Sequence, residues 1–194
     1  CLFRLVHGDD EIILGIYVDD IICGYRGNKT FSDFTEKFFL RFPGKIDPLS
    51  WFLGMAIDQH EDYSIHVDHE RSIAKMGEKY LPNNQVTREC PPADLFGKLD
   101  RAQTNEERAK AQRFEYASLV GAILYVAVMS RPDIAYHASV LAKFLSDPSL
   151  ECCNAAQQLL QYLLATRKRR LYYSGKISVP EGLEKFSDDI KRNH

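Results

Sequence analysis

Hydrophobic and polar positions in the first quarter of the chain alternate in the manner of short antiparallel strands. β-branched and aromatic residues fill three runs, at residues 2–7, 11–18 and 21–25. The polar segment Gly8-Asp9-Asp10 separates the first two runs, and the acidic pair Asp19-Asp20 separates the second from the third. Short apolar runs bounded by turn residues predict strands. The pair Asp19-Asp20 is therefore expected at the tip of a tight hairpin.

A mixed pattern of helix and strand follows. A stripe of phenylalanines predicts a helix over residues 30–42, capped by Thr30 with Asp33 three residues later. Two strands and a helix are predicted next, at residues 51–57, 63–67 and 69–80. Residues 81–103 are rich in proline, asparagine, aspartate and glycine, which predicts a linker and a domain boundary.

The second half of the chain has a helical period throughout. The sequence Thr104-x-x-Glu107 is a capping box that predicts a helix start. Residues 114–129 are apolar on nearly all sides, which is typical of a buried helix. The later elements are two helices that restart near Pro132 and Pro148 and a short strand at residues 171–173. Together, these elements predict an α+β fold.

The acidic pair Asp19-Asp20 is the strongest chemical signal in the sequence. Apolar runs flank it on both sides, and adjacent carboxylates in such a setting repel one another and lose hydration. A divalent cation is the commonest compensation. The pair Asp9-Asp10 offers an internal comparison, because it follows Gly8 in a polar segment typical of an ordinary hairpin turn. We therefore interpret Asp19 and Asp20 as metal ligands and the earlier pair as turn residues.

Composition and charge narrow the class of protein. The chain has 194 residues with a net charge of −2, and no apolar run approaches the roughly 20 residues that span a bilayer, so no membrane partner is expected. Five cysteines without a C-x-x-C pair argue against a disulfide framework or a zinc site and fit a reducing, intracellular setting. Residues 1–100 carry 11 basic and 17 acidic side chains, whereas residues 101–194 carry 14 and 10. The basic second half suits contact with a polyanion, although most such asymmetries are solvated surface.

Several motifs, in order along the chain, resemble those of one polymerase family. The tetrad Tyr17-Val18-Asp19-Asp20 resembles the Y-x-D-D signature of reverse transcriptases, and the WFLGMAI sequence at residues 51–57 is similar to the segment that grips the primer end. Residues 116–125 and the SRPDIAY sequence at residues 130–136 resemble motifs of Ty1/copia-type retrotransposon polyproteins. The resemblance extends over about residues 2–174. It identifies the chain as similar to the C-terminal part of the reverse transcriptase region of such a polyprotein.

The resemblance implies a partial polymerase palm followed by a helical, thumb-like bundle. The implied segments are the end of the palm, a linker, a thumb or connection region, and a tail leading toward a ribonuclease H domain, at residues 1–81, 82–103, 104–174 and 175–194. In the tail, Asp188-Asp189 lies where the ribonuclease H domain would soon begin. The residues after this pair do not match that domain, so we expect the pair to be ordinary tail.

The implied activity is RNA-directed DNA synthesis with two Mg²⁺ ions. Carried over by position, Asp19 is a catalytic metal ligand and Asp20 is the second acid of the pair. The residues that the resemblance assigns to primer binding are Tyr17, Trp51, Phe52, Leu53 and Gly54. The implied partners are an RNA or DNA template with its primer, deoxynucleoside triphosphates, and the rest of the polyprotein, meaning the upstream palm and fingers and the downstream ribonuclease H domain.

The first catalytic aspartate of the family lies upstream of this motif, and no residue of the sequence matches it. Two carboxylates from one hairpin do not complete a two-metal site, so we expect the chain, as a fragment, to be inactive alone. The family's fingers and nucleotide-gating residues are also unmatched, and Cys152-Cys153 stands where the family commonly has His-Trp. The expected location is the cytoplasm, a virus-like particle or the nucleus.

A second candidate surface is the densest basic run, Arg167-Lys168-Arg169-Arg170. Its functional interpretation is phosphate contact with template and primer, and its structural one is that cations complement the dipole of a helix C-terminus. Both interpretations stay open. Arg131 and Asp133 are expected to form an ion pair or cap at a helix start, with direct contact to nucleic acid as the alternative. His66 and His69 straddle a strand–helix junction, so no metal pair is expected there.

Two other functions also stay open. One is a non-catalytic, nucleic-acid-binding remnant of the same element, which would use the basic half of the chain. The other is a metal-dependent nuclease, since carboxylate metal sites serve both chemistries. The nuclease is disfavoured because the primer-grip and thumb motifs would have no role in it.

Overall fold

The chain has an α+β fold in two compact units. The computed structural model describes residues 1–81, 90–91 and 96–175. The units are Cys1–Ile57 and Asp58–His194. The predicted fold class is confirmed at this level, while the palm, linker and thumb limits drawn from the resemblance stay a prediction. Most of the expected linker and the pair Asp188-Asp189 lie outside the described residues.

Seven strands and six α-helices are described. The strands are β1 Leu2–His7, β2 Asp10–Tyr17, β3 Asp20–Arg26, β4 Trp51–Phe52, β5 Met55–Gln59, β6 Ile65–Asp68 and β7 Leu171–Tyr173. The helices are α1 Asn28–Arg41, α2 Glu70–Tyr80, α3 Asn105–Arg113, α4 Tyr116–Met129, α5 Ala135–Ala142 and α6 Leu150–Ala165, with a 3₁₀ turn at Pro132–Ile134. No helix in the described part of the chain is long and apolar enough to cross a membrane.

The first unit contains the predicted antiparallel meander, in the order β1-β2-β3. Ile12 lies opposite Leu5 on one side and Tyr25 on the other, and it is the one fully buried hydrophobic residue of these strands, 1% exposed. Tyr25 stacks on Phe31 of α1 with ring centroids 3.7 Å apart. Because side chains alternate across a sheet, α1 covers the face that carries Ile12 and Tyr25.

Helix α1 begins two residues earlier than its sequence predicts. Its N-cap is Gly27, at a φ of +97°, and a side chain there would collide with the carboxylate of Asp10. The Thr30 hydroxyl donates a hydrogen bond to that same carboxylate. The prediction that Thr30 caps the helix is therefore wrong, because the helix begins at Asn28 and Thr30 lies within its first turn.

The segment 51–57 is a tight hairpin, which corrects the prediction of a single strand. Leu53 and Gly54 both have positive φ angles, +50° and +77°, and they form the turn between β4 and β5. Trp51 pairs with Ala56, and Phe52 pairs with Met55. Two-residue loops with positive φ at both positions suit the twist of a β-hairpin, and glycine adopts such angles without strain.

The second sheet has four strands in the order β4-β5-β6-β7. In the second unit, β6 and β7 are antiparallel, with Val67 opposite Leu171 and Ile65 opposite Tyr173. The strand predicted at residues 171–173 is therefore confirmed. Its partner β6 precedes the helices of this unit in the chain, and β7 follows them. The β6–β7 pairing therefore joins the segments that come directly before and after the helical bundle.

The core of the second unit lies among its helices. Ile73 and Met76 of α2 are buried, as predicted, and pack in one cluster with α4, α5 and α6. Gly77 allows α2 and α6 to approach closely, because a Cβ at this position would lie 2.6 Å from Leu164 Cδ2.

The predicted capping box of α3 is confirmed. Glu107 N–H donates to Thr104 Oγ1 at 3.2 Å, and Thr104 N–H donates to the Glu107 carboxylate at 3.3 Å. Helix α4, by contrast, is not buried on all sides, because Tyr125 is 43% and Val128 81% exposed. Apolar composition could not show which face of α4 the other helices would cover.

His69 joins α2 to the C-terminal end of α4. Its side chain is buried, its Nδ1 lies 2.6 Å from Ser130 Oγ, and its ring meets the edge of Tyr125. Burial lowers the pKa of His69 from its ordinary value of 6.5, although the neighbouring Asp68 carboxylate acts in the opposite direction. Burial therefore stabilises the neutral form of the His69 imidazole relative to the protonated form.

Stability of the second unit should fall as the pH drops below about 6.5, the ordinary pKa of histidine. The folded-state pKa of His69 is depressed, so the unfolded chain binds the proton more readily, and stability present above that pH is lost below it. Urea unfolding at several pH values measures this dependence. His69→Gln should make this dependence shallower, with the remainder coming from His137, whose pKa is also lowered by burial. The exposed control His7→Gln should keep the wild-type slope. An unchanged slope in His69→Gln would contradict the assignment.

Candidate functional site

The tetrad Tyr17-Val18-Asp19-Asp20 forms the tip of the β2–β3 hairpin. Tyr17 and Asp20 are the last cross-strand pair, and Val18 and Asp19 form the two-residue turn. Val18 has a φ of +52° and is 81% exposed. Positive φ is rare for a β-branched residue and costs about 1–3 kcal/mol, so the turn holds Val18 in a strained conformation.

The two acidic side chains of this tip are exposed. Asp19 lies in the turn itself, and Asp20 opens β3 on the sheet face that also carries Tyr17. The expectation that the apolar flanks bury these carboxylates is wrong, because the strands end before the acids and a two-residue turn surrounds them with little protein. Because both carboxylates are exposed, the cost of burying them is no argument for a bound cation. The argument that remains is that carboxylate oxygens are good metal ligands.

The donor chemistry of the tip fits Mg²⁺ in part. Carboxylate oxygens are the ligands that Mg²⁺ prefers, and Mg²⁺ is usually held by one or two carboxylates together with water and substrate phosphates. The described residues contain no group of three histidine, cysteine or acidic side chains that could hold a metal ion. Asp19 and Asp20 can thus contribute ligands, and no third acid from the described residues joins them.

The β1–β2 hairpin, which carries Asp9-Asp10, differs from the β2–β3 hairpin, as the residues that flank the two acidic pairs predict. Gly8 and Asp9 form its turn, with Gly8 at a φ of +61°. Asp10 is tied to the start of α1 through the Thr30 hydroxyl. This acidic pair therefore has a local structural role, and Asp9 is a suitable control for Asp19.

The residues expected to bind a primer lie in the β4–β5 hairpin and at the Y-x-D-D tip. Trp51 and Tyr17 are 46% and 60% exposed, which leaves aromatic surface for a base or sugar to contact. Phe52, Leu53 and Gly54 are partly buried. Their assignment to primer binding stays a prediction.

The basic run at residues 167–170 is largely engaged within the second unit. The Arg167 guanidinium lies 3.2 Å from Glu70. Arg170 bridges two carboxylates, at 2.7 Å from Asp58 and 3.0 Å from Asp68. These partners could not be identified from the sequence, because they lie about a hundred residues away and come together only through the β6–β7 ladder.

Lys168 differs from its neighbours. It is exposed, and no ion pair to it is found among the described residues. Residues 164–169 line an open crevice at the end of α6. Of the four cations predicted to contact phosphate, Lys168 is therefore the one whose charge has no carboxylate partner in the described part of the chain.

Arg131 lies at the centre of a polar network at the C-terminus of α6. Its guanidinium, 2% exposed, donates two hydrogen bonds to the Asp133 carboxylate, at 2.9 and 2.8 Å. It also donates to Thr166 O at 3.1 Å and to Thr166 Oγ1 at 2.7 Å. The expected ion pair of Arg131 and Asp133 is confirmed, and the same cation satisfies a carbonyl at the end of α6.

Tyr162 extends this network to the basic run. Its hydroxyl donates to Asp133 at 2.7 Å and accepts a 2.7 Å hydrogen bond from Arg169. Burial acts to raise the pKa of Asp133, but the hydrogen bonds from Arg131 and Tyr162 outweigh it, so the net pKa lies below its ordinary value. Asp133 therefore stays ionised at neutral pH. Tyr162 is not among the site residues that the sequence predicts, and its one signal there is Thr166, which follows it by one helical turn.

Asp133→Asn should destabilise the second unit by about 3 kcal/mol, because it leaves the buried Arg131 cation without its carboxylate. Chemical denaturation of both proteins measures the difference. The matched control is Glu106→Gln, which breaks the exposed Glu106–Lys110 pair and should leave stability almost unchanged, because solvent screens such pairs. Equal small effects in the two variants would show that the network is not important for stability.

Comparisons with known proteins agree with the motifs. No protein-family model matches the chain, and no solved structure matches it. A putative transposon Ty5-1 protein of Saccharomyces cerevisiae is 29% identical over 169 residues, which is 85% of this chain and 53% of that protein.

Two longer relatives are Pol polyproteins of plants. The retrovirus-related Pol polyprotein from transposon TNT 1-94 of Nicotiana tabacum is 28% identical over 188 residues, or 93% of this chain. That from transposon RE1 of Arabidopsis thaliana is 24% identical over 174 residues, or 88% of this chain. The chain spans about half of the Ty5-1 protein and only 14% and 11% of the two polyproteins. Over most of its length, then, the chain is homologous to Pol polyproteins of Ty/copia-type retrotransposons, as its motifs predict.

Proposed function

We propose that the chain is part of an RNA-directed DNA polymerase of a copia-type retrotransposon. One observation carries this proposal, namely that a strained two-residue turn presents Asp19 and Asp20 at the exposed tip of an antiparallel hairpin. Similarity to Pol polyproteins supports it. Residues 1–81 would then contribute to the palm, and helices α3 to α6 would belong to the thumb-like region at residues 104–174.

In this proposal Asp19 and Asp20 supply carboxylate oxygens to Mg²⁺. When bound, Mg²⁺ would help to activate the primer hydroxyl and to neutralise the leaving pyrophosphate. The tight turn restricts the backbone of Asp19, and the β2–β3 pairing restricts that of Asp20. Both acids are thereby held ready to accept a cation with little reorganisation of the chain.

The aromatic residues of the first unit would position the primer. Tyr17 shares a sheet face with Asp20, so a primer end held against its exposed ring would lie beside a carboxylate. Trp51 offers a second exposed ring at the β4–β5 hairpin. Stacking of bases on aromatic side chains contributes about 1–3 kcal/mol per base.

The chain by itself should not extend a primer. Two adjacent acids from one hairpin provide fewer ligands than a two-metal site needs, and no described group of three ligands exists. A primer-extension assay with Mg²⁺ and deoxynucleoside triphosphates should give no product above background. Robust extension by the purified chain would show this proposal of an incomplete site to be wrong.

The polymerase assignment itself is tested by restoring the expected upstream segment. A fusion that places the fingers and upstream palm of a copia-type polyprotein before Cys1 should extend a primer. Asp19→Asn should abolish that extension, and Asp9→Asn, at the turn of the other hairpin, should not. Equal activity in both variants of a folded fusion would argue against a catalytic role of Asp19.

A second candidate function is nucleic-acid binding without catalysis. The supporting observation is the exposed basic run beside an open crevice, with the charge of Lys168 unpaired among the described residues. Polyanion binding releases counterions, so its affinity falls steeply with salt. Arg167, Arg169 and Arg170 would contribute only when a phosphate competes with their acidic or tyrosyl partners.

Lys168→Gln should weaken binding to a primer–template duplex and lower the salt slope by about one. Electrophoretic mobility or fluorescence anisotropy at several salt concentrations measures both quantities. Lys143→Gln removes another exposed lysine of the same unit and is the matched control. Binding that is absent, or independent of salt, would exclude this function.

A further inference from the structure

Two imidazoles face each other across the hairpin that joins β5 to β6. His60 Nε2 lies 2.8 Å from His66 Nδ1, and the two rings are nearly perpendicular, at 88°. His60 is exposed and His66 is half-buried. Both residues belong to the second unit, and neither contributes to the polymerase proposal.

The backbone around His60 is well constrained. His60 N–H donates to Ser64 O at 2.9 Å, and Tyr63 N–H donates to His60 O at 3.0 Å. Asp62 Oδ1 accepts hydrogen bonds from the Ser64 N–H at 3.0 Å and from its hydroxyl at 2.6 Å. The loop is thus closed before any ligand binds, so little conformational entropy would be lost there on binding.

His66 is held by the neighbouring strand. It is the cross-strand partner of Tyr172 in the β6–β7 ladder, and its ring centroid lies 5.1 Å from that of Tyr172. The two imidazoles therefore project from two restrained backbone segments toward one point at the protein surface.

We propose that His60 and His66 form a two-histidine site for a transition-metal ion of the Cu²⁺ or Ni²⁺ type. Imidazole nitrogen is a preferred ligand of these ions. Two nitrogens each about 2.05 Å from a metal, and meeting there at a right angle, are separated by about 2.9 Å, close to the present 2.8 Å. A tetrahedral Zn²⁺ would need about 3.3 Å and thus a wider opening of the pair.

Coordination requires a small rearrangement of the pair. One ring now donates its N–H to the other, so that proton must move through solvent to the second nitrogen of the same ring, which leaves both facing nitrogens with free lone pairs. The rings then rotate until both lone pairs point at the metal. Exposure of His60 makes this rotation feasible.

The local charge favours a cation. Two acidic residues, Glu61 and Asp62, lie in the same loop as His60. No third histidine, cysteine or acidic residue completes a group around the pair within the described ranges. Water would fill the remaining positions, which makes the site one of moderate affinity.

Titration of the full chain with NiCl₂ tests the proposal, because Ni²⁺ does not oxidise the cysteines of the protein. Calorimetry gives the affinity, and line broadening of backbone amide signals locates the ion. The variants are His60→Ala and His66→Ala, and the matched control is His7→Ala, another exposed histidine, in β1. Each site variant should weaken binding by at least about tenfold, a loss that even an outer-sphere substitution can cause.

Broadening confined to residues near His60 and His66, lost in both site variants and kept in His7→Ala, would support the site. Equal binding by all four proteins, or broadening elsewhere, would overturn it. If a variant does not fold, the wild-type chain still decides, because the residues whose amide signals broaden on addition of NiCl₂ locate the ion.

Discussion

The buried guanidinium of Arg131 is the constraint on which the second unit depends. A buried cation is tolerated only when an anion and further acceptors surround it. Here Asp133 supplies the anion, and Thr166 supplies a carbonyl and a hydroxyl. Because these acceptors come from the 3₁₀ turn and from the end of α6, satisfying one side chain determines how the two elements meet.

The same constraint limits what the basic run can do. Tyr162 connects Asp133 to Arg169, and Arg170 ties β7 to the carboxylate of Asp68 at the end of β6. Cations that are already paired with acidic side chains are less available to phosphates than a cation without such a partner. The net positive charge of residues 101–194 therefore overstates the surface that could bind a polyanion, and electrostatic attraction should be concentrated where partners are lacking.

In the first unit, the polymerase proposal depends on a backbone constraint. Val18 occupies a φ region that suits glycine better than a β-branched residue, and such strain tends to persist at functional sites. Its consequence is a turn short enough to leave both acids exposed at the tip. The hairpin thus offers charge and geometry, while the number of ligands stays below what two metal ions require.

The sequence by itself determined the local elements whose causes are local. Periodicity predicted the meander and β7, the Thr104–Glu107 box predicted the start of α3, and ordered motifs predicted the Pol relationship. It failed at the start of α1, where Gly27 is the N-cap and the distant Asp10 carboxylate accepts the Thr30 hydroxyl. It also failed at residues 51–57, where two positive φ angles form a turn that the apolar pattern does not show. Only the tertiary structure decided which charges are paired and that His60 faces His66, because such contacts join residues that folding, not spacing, brings together.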